Sequence, residues 1–223
     1  MTDRDNHLWL QCWRNQQTEF HQTAVNTMLT EFWPSLHLPA GSRVFVPLCG
    51  KSLDMLWLVQ QGYDVIGVEL SPLAVRAFFK ENRLLPRKQR RGAFTCWQHG
   101  KLSILCGDYF ALTAADLGAV DAVYDRAALT ALPEDLRIRY VSRLRQIISA
   151  KAPVFLLTTE DAEDNATPAQ ALGVDTEINA LYAEHFHIDL AKVNSVYEGA
   201  QNTPPQLQKN TDYKVYKLHA KNV

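Results

Sequence analysis

RVFVPLCGKSLDMLWLVQQGYDVIGVELS, residues 43–71, contains two short apolar runs separated by an amphipathic stretch. The runs Arg43–Pro47 and Asp64–Leu70 are rich in Val and Ile, which favours strands buried on both faces. Between them, Ser52–Gln61 carries apolar side chains at helical spacing and ends at Gly62, a common helix terminator. A strand, a helix and a second strand in this order predict a parallel α/β unit.

The same alternation continues toward the C-terminus. Three further strands are predicted at Lys101–Cys106, Val120–Tyr124 and Pro153–Thr159. Two further helices are predicted at Pro72–Asn82, with Ser71 as N-cap, and at Pro133–Ser149. The runs Phe186–Val196 and Asp212–Ala220 flank a Pro205-containing loop without a helical pattern, so they predict a closing antiparallel hairpin. The fold class is α/β, a mostly parallel sheet of seven strands.

The length of 223 residues favours one domain over residues 1–223. A chain of this size buries roughly 70–75% of its unfolded surface and needs no metal or disulfide framework. Residues 41–223 form the predicted α/β core. Residues 1–40 precede the first strand, and their aromatic content is too high for a linker: Trp9, Trp13, Phe20, Phe32 and Trp33. We predict that they pack as an N-terminal helical lid.

Charge and cysteine usage limit the function. The formal net charge is -1, so no global basic field draws the protein to nucleic acid. The charge run Arg87–Arg91 is predicted to be a solvated loop. The four cysteines lack a Cys-x-x-Cys pair or a close His cluster, which argues against zinc and against a secreted disulfide scaffold. No run approaches the ~20 apolar residues of a membrane span. We expect a soluble, cytoplasmic monomer with no metal.

The turn after the first strand is the first candidate site element. In open parallel sheets, ligands bind beyond the carboxyl ends of the strands, where the strand order reverses. Residues 46–52, VPLCGKS, connect the first strand to a helix and offer free backbone N–H groups. A Walker A loop would need glycine at Phe45, and a dinucleotide fingerprint would need three glycines where only Gly50 stands. Triphosphate and pyrophosphate binding are therefore disfavoured.

Acidic residues end the next two strands. Glu69 lies about 20 residues beyond the first turn, the offset at which a carboxylate accepts ribose hydroxyls in such folds. Asp108 could accept an adenine amino proton, and Tyr109 could cover the ring, although a plain turn with Asp108 as a cap is also open. An adenosine bound without a pyrophosphate site points to S-adenosylmethionine and to methyl transfer.

The fourth strand ends in Asp125 and Arg126, near the place where the transferable methyl group would lie. Arg126 is a permanently charged, planar donor suited to an anionic acceptor or to the carboxylate of the cofactor, and the sequence does not choose between them. A structural salt bridge is the alternative role. Cys49 and Cys106 could be proposed as nucleophiles, but direct transfer needs no covalent intermediate, and buried cysteines are usually inert.

Taken together, these motifs resemble the thiopurine S-methyltransferase family, in particular its bacterial members. The resemblance spans nearly the whole chain. It rests on Trp9-x-x-x-Trp13, Phe20-His-Gln22, Trp33-Pro34 and the segments VPLCGKSLD at 46–54, GVELS at 67–71, LCGD at 105–108 and VDAVYDRAAL at 120–129. PLCGKS and YDRAAL are its most specific parts. The resemblance implies a class I methyltransferase with a three-layer, Rossmann-like fold.

The resemblance also implies roles for individual residues. Trp13, Leu48, Glu69 and Arg126 match family positions that line the S-adenosylmethionine site, with S-adenosylhomocysteine as product. Asp108 and Tyr109 match the adenine-facing segment. Phe20 matches a position at the acceptor pocket, with His21 beside it. Arg126 is the residue assigned to catalysis.

The methyl acceptor stays open at this point. A soft, ionised sulfur or selenium nucleophile would attack the sulfonium methyl by in-line displacement, and the candidates are heteroaromatic thiols and selenium or tellurium compounds. Two segments differ from the family pattern and could shape the acceptor pocket, the basic stretch Arg83–Lys101 and Ala166–Val174. The alternatives are a non-catalytic protein that binds S-adenosylmethionine or metalloid oxyanions, and a nicotinamide-dependent oxidoreductase, which the missing glycine triplet disfavours.

Overall fold

The predicted strand–helix–strand unit forms the centre of the sheet. A computed structural model of the protein describes residues 3–18, 20–161, 173–198 and 209–221. Strand β1 (Arg43–Val46), helix α3 (Asp54–Gln60) and strand β2 (Asp64–Glu69) follow one another, and the two strands pair in parallel. Their Val, Ile and Phe side chains are buried on alternating faces of the sheet, so each strand contributes to both halves of the core.

The described residues contain nine strands in one sheet. The remaining strands are β3 (Arg87–Arg91), β4 (Phe94–His99), β5 (Leu102–Cys106), β6 (Ala122–Arg126), β7 (Val154–Asp161), β8 (Phe186–Glu198) and β9 (Lys209–Ala220). They lie in the order β3-β4-β5-β2-β1-β6-β7-β9-β8. Strands β5, β2, β1, β6 and β7 are parallel, whereas β4 and β9 join the two sides of this core antiparallel. The strand order reverses between β1 and β6, and this reversal places the ligand site.

Helices cover both faces of the sheet. They are α1 (Asp3–Arg14), α2 (Thr27–Phe32), α3, α4 (Pro72–Glu81), α5 (Ala114–Leu117), α6 (Glu134–Ile147) and α7 (Thr176–Tyr182), with 3-10 turns at Trp33–Leu36 and Tyr109–Ala111. Helix α4 begins as predicted, because the Ser71 hydroxyl accepts the Ala74 N–H and Pro72 follows in the first turn. The result is the predicted three-layer, Rossmann-like arrangement.

The basic run Arg87–Arg91 is a strand rather than the predicted solvated loop. Its five side chains are exposed, and its backbone pairs antiparallel with β4. The Lys88 ammonium also lies 3.8 Å from the centre of the Trp97 ring. An edge strand can be polar on both faces when no layer covers it, and its charges oppose pairing with other chains. Strands β3 and β4 raise the sheet from the predicted seven strands to nine.

The C-terminal hairpin is confirmed. Strands β8 and β9 pair antiparallel, with an irregular register between Leu190 and Lys192, and β9 also pairs with β7. The Pro205 loop that was predicted to join them lies outside the described residues, as does most of the segment 166–174.

The N-terminal forty residues divide into two parts. Trp33 is only 1% exposed and packs edge-on against Tyr63, Tyr124 and Phe155, so the end of this segment belongs to the core. Helix α1 instead carries Trp9 and Trp13, which are partly exposed. The lid predicted for residues 1–40 therefore concerns the part before α2, and it stays a prediction.

Gly67, near the end of β2, lies where the sheet packs closely against the turn that follows β1. A Cβ atom at this position would lie 2.7 Å from the Cys49 sulfur and 3.2 Å from the Met55 sulfur. We expect Gly67→Ala to lower the free energy of unfolding by about 1–3 kcal/mol through overpacking. Denaturant unfolding measures this loss, and adding Cys49→Ala should restore part of it. Equal stability of Gly67→Ala and the natural chain would contradict the packing.

Candidate active site

A cleft opens at the carboxyl ends of β1, β2, β5 and β6. Eight of the residues proposed from the sequence line it: Trp13, Phe20, His21, Leu48, Glu69, Asp108, Tyr109 and Arg126. They come from four strand ends and from the N-terminal segment, because parallel strands present their carboxyl ends at one edge of the sheet.

The turn between β1 and α3 forms the floor of the cleft. Leu48 and Gly50 both have positive φ, 44° and 53°, and such strain at a non-glycine residue is typical of functional sites. The Trp13 ring lies over Gly50, with its Cζ2 atom 3.5 Å from where a Cβ would stand. The Trp13 indole therefore covers this turn with an apolar surface, and the backbone of the turn lines the opposite side of the cleft.

Glu69 ends β2 as a buried carboxylate, 7% exposed. One carboxylate oxygen accepts the Gly50 N–H at 2.9 Å and the other accepts the Ser71 N–H at 2.7 Å. Burial raises the pKa of Glu69 to about 7, although the backbone hydrogen bonds from Ser71 and Gly50 act to lower it. The carboxylate has lone pairs left for further donors, and it links the ends of β1 and β2.

Asp108 and Tyr109 follow β5 at the adjacent strand end. Asp108 caps the short 3-10 turn by accepting the Phe110 N–H at 3.0 Å, and its other oxygen accepts from the Asn6 side chain at 3.4 Å. The Tyr109 residue is 1% exposed, its ring stacks on Tyr140, and its hydroxyl donates to the Tyr140 carbonyl. This packing does not favour the predicted stacking of Tyr109 on an adenine ring, because the ring face is already covered.

Arg126, at the end of β6, is fixed by residues that the sequence analysis did not single out. Its Nε donates to Asp54 at 2.8 Å and its Nη2 donates to the Ser52 hydroxyl at 3.2 Å. The Tyr124 hydroxyl donates to the same Asp54 oxygen at 2.8 Å. The signal available in the sequence was an acidic residue at the start of an otherwise apolar helix, directly after the glycine turn. The alternative role considered for Arg126, a salt bridge, is thus present within the cleft wall.

Asp125 does not face the cleft, contrary to the prediction that placed it beside Arg126. Successive side chains of a strand point to opposite faces, so Asp125 is buried on the other side of the sheet. There it accepts from the Tyr140 hydroxyl and the Ala128 N–H. Burial raises its pKa to about 6. Asp125 therefore supports the turn at Ala127, whose φ is 60°, and is not a reacting group.

Phe20 and His21 close the cleft from the N-terminal side. Phe20 is 48% exposed and packs edge-on against Trp9 and Trp13, with ring centres 5.7 and 5.5 Å away. Partial burial, followed by the nearby charge of Lys51, lowers the pKa of His21. This end of the cleft is thus aromatic and carries an imidazole that is largely neutral at pH 7.

The two cysteines considered as nucleophiles, Cys49 and Cys106, are poor ones. Burial and the neighbouring Glu69 raise the pKa of the Cys49 thiol, and they raise that of Cys106 to about 11. Both thiols are therefore protonated at neutral pH. Their chemistry agrees with direct transfer without a covalent enzyme intermediate.

The fold and the cleft together define an S-adenosylmethionine-dependent methyltransferase. The structure is similar to that of a SAM-dependent methyltransferase from Anabaena variabilis, with a TM-score of 0.57 at 15% identity, covering 96% of this chain and 95% of the other. The sequence model of the family Thiopurine S-methyltransferase matches residues 4–221. The chain belongs to the thiopurine S-methyltransferase family.

Individual relatives agree with this assignment. A thiopurine S-methyltransferase of Stutzerimonas stutzeri is 61% identical over 222 residues, 99% of this chain and 93% of the relative. One of Methylococcus capsulatus is 43% identical over 197 residues, 87% of this chain and 88% of the relative. The protein is therefore an S-adenosylmethionine-dependent S-methyltransferase, the first of the functions considered from the sequence.

Two further structural findings concern membrane spans and metal sites. Among the helices of the described ranges, none is long and apolar enough to cross a membrane. Within the same ranges, no group of three or more His, Cys, Asp and Glu side chains could hold a metal ion.

Proposed function

We propose that the protein transfers the methyl group of S-adenosylmethionine to the sulfur of a small aromatic or heterocyclic thiol of thiopurine type. The observation that carries this proposal is a single cleft with two unlike ends. One end has the buried Glu69 carboxylate and the Gly50 turn, and the other has the Arg126 guanidinium. The aromatic Phe20 also lines the cleft. The first end suits a nucleoside and the second suits a flat, anionic acceptor.

The strand order supports one position of the cofactor. From β5 through β2 and β1 to β6, the strand ends present Asp108, Glu69, Gly50 and Arg126 in that order. Adjacent strands lie about 4.8 Å apart, so Arg126 stands roughly 10 Å from the Glu69 position along the sheet edge. Adenosine would lie over β5 and β2, with its ribose hydroxyls donating to Glu69. The methionine portion would lie over the β1 turn beneath Trp13, with the methyl group directed toward β6.

The acceptor would lie between Phe20, His21 and Arg126. An aromatic thiol is substantially ionised near neutral pH, and its thiolate would be held close to the guanidinium. The thiolate sulfur forms a bond to the methyl carbon while the bond from that carbon to the sulfonium breaks. The electron pair stays on the cofactor sulfur, which gives neutral S-adenosylhomocysteine. The thiol proton leaves to solvent beforehand, so no general base is required.

Most of the rate acceleration would come from alignment. Holding two reactants in line can supply roughly 7–11 kcal/mol of the barrier reduction. The N-terminal residues would act as the lid that excludes water, with Trp9, Trp13 and Phe20 above the reacting atoms. Selenols and tellurium compounds are softer nucleophiles of the same geometry, and we include them as possible acceptors. We place the enzyme in the cytoplasm as a monomer that uses neither nucleic acid nor membrane.

The test is turnover with defined acceptors. Purified protein, S-adenosylmethionine and either 6-mercaptopurine, thiophenol or benzeneselenol should yield the methylated acceptor and S-adenosylhomocysteine in equal amounts by mass spectrometry. Phenol, which is far less ionised and less nucleophilic, serves as the negative acceptor. Cofactor binding in calorimetry without methylation of any thiol or selenol would reject the proposed acceptor class and favour a binding protein.

The raised pKa of Glu69 predicts how cofactor affinity depends on pH. Burial moves this pKa to about 7 in the free protein. Ribose hydroxyls donate to the ionised carboxylate, so a proton on Glu69 competes with the cofactor. We expect the affinity for S-adenosylhomocysteine to fall about tenfold from pH 8 to pH 6. Calorimetry at fixed ionic strength measures this fall, and it should be absent in Glu69→Gln. The same slope in both proteins would show that another group titrates.

A further inference from the structure

Asp54 joins three parts of the chain beneath the cleft. Its side chain is 1% exposed. One oxygen accepts the backbone N–H of Asn26 at 2.8 Å, and the other accepts the Tyr124 hydroxyl and the Arg126 Nε, both at 2.8 Å. The carboxylate does not line the cleft, whereas Tyr124 and Arg126 do. Asp54 therefore affects the cleft only through the groups that it holds.

A buried carboxylate is costly unless its hydrogen bonds are satisfied, and two partners of Asp54, Tyr124 and Arg126, line the cleft. Asn26 is the N-cap of α2 and comes five residues after His21, so its position limits where the segment with Phe20 and His21 can lie. Arg126 is the cation at the β6 end of the cleft. Ser52 completes the arrangement, because its hydroxyl accepts from both Arg126 and the Asp54 backbone N–H.

We infer that Asp54 is a positioning residue for the methyl acceptor, which sets the distance between Arg126 and the N-terminal segment across the acceptor end of the cleft. The inference rests on the proposed function, because it assumes that the acceptor occupies this end. The nucleoside end is held by other hydrogen bonds, since the Glu69 carboxylate accepts from Gly50 and Ser71 rather than from the partners of Asp54.

The first test replaces the carboxylate with its uncharged isostere. In Asp54→Asn, an NH2 group replaces one of the two carboxylate oxygens, and this group cannot accept the hydrogen bonds that the oxygen accepted. We expect the KM for 6-mercaptopurine to rise about tenfold or more, the effect of losing a charge-assisted hydrogen bond, while the Kd for S-adenosylhomocysteine changes less than about threefold. The matched control is Asp64→Asn, which also removes a carboxylate from an arginine pair, with Arg43, but at the opposite end of the strands. It should leave both constants unchanged.

The second test keeps Asp54 and changes only the bond from Asn26. Asn26 has φ −66° and ψ 126°, a conformation that proline adopts. Asn26→Ala removes the side-chain cap of α2 but keeps the backbone N–H, whereas Asn26→Pro removes both. The two variants differ at the contact with Asp54, because the proline ring removes the N–H and also places its Cδ atom against the Asp54 oxygen. We expect the acceptor KM of Asn26→Pro to exceed that of Asn26→Ala by about fivefold or more, with equal affinity for S-adenosylhomocysteine.

The outcomes separate the inference from the proposed function. A lower melting temperature with unchanged acceptor KM in Asp54→Asn and equal kinetics of the two Asn26 variants would reduce Asp54 to a structural residue and overturn the inference. An equal loss of cofactor and acceptor binding would also overturn it, because the effect would not be confined to the acceptor end. Failure of the natural protein to methylate any acceptor would instead reject the proposed function before any variant is compared. If Asp54→Asn does not fold, the Asn26 pair decides alone.

Discussion

Replacing Glu69 with alanine should weaken binding of S-adenosylhomocysteine at least about a hundredfold, because two hydrogen bonds to a charged acceptor, worth about 1.5–3 kcal/mol each, are lost. The carboxylate also organises the site before any ligand arrives. It accepts the Gly50 and Ser71 N–H groups, so its removal leaves two donors beneath the cleft without a partner. The turn that would support the methionine portion then loses its anchor to β2. Isothermal titration with S-adenosylmethionine and S-adenosylhomocysteine measures the effect.

Glu177→Ala is the matched control for Glu69→Ala. It removes a glutamate carboxylate paired with Arg137, between α6 and α7, and neither residue lines the cleft. Its cofactor affinity should equal that of the natural chain. Micromolar binding that survives in a folded Glu69→Ala protein would mean that the ribose is held elsewhere, and the cofactor placement along β5, β2 and β1 would have to be abandoned.

Arg126→Ala should lower kcat/KM for the acceptor about a hundredfold to a thousandfold, the usual effect of removing a group that stabilises developing or bound charge. It should also destabilise the fold, because the Asp54 carboxylate, 1% exposed, loses its only cationic partner among the described residues. Breaking a buried pair on one side costs about 3–5 kcal/mol. Steady-state kinetics and denaturant unfolding measure the two effects separately.

A double variant separates stability from catalysis at Arg126. In Arg126→Ala with Asp54→Asn, neither an unpaired cation nor an unpaired carboxylate stays buried. The free energy of unfolding should recover by at least half, whereas kcat/KM should stay as low as in Arg126→Ala. Recovery of activity together with stability would show that Arg126 is a structural salt bridge and has no direct role at the reacting atoms. Arg126→Lys keeps the charge but loses the planar fork of donors. Its kcat/KM should therefore lie between that of the natural chain and that of Arg126→Ala.

The sequence by itself determined the parallel core and the edge at which the site lies. The structure of residues 43–71 is predicted by local signals: the strand propensity, the helix end at Gly62 and the Ser71 cap. The carboxyl ends of parallel strands share one edge, so the motifs that end β1, β2, β5 and β6 had to meet there once the strands were identified. For that reason Leu48, Glu69, Asp108, Tyr109 and Arg126 line one cleft, whereas the N-terminal segment adds Trp13, Phe20 and His21.

The tertiary structure alone decided what those residues touch. Asp54 and Arg126 are 72 positions apart, and their pairing depends on how α3 and β6 pack, which no local pattern encodes. The run Arg87–Arg91 reads as a solvated loop because its side chains are polar, yet its backbone bonds to β4 make it a strand. Tyr109 lies at the predicted place, but its ring stacks on Tyr140. Local sequence fixes which residues reach the site, whereas hydrogen-bond partners and ring orientation follow from long-range packing, where each side chain competes for a limited volume.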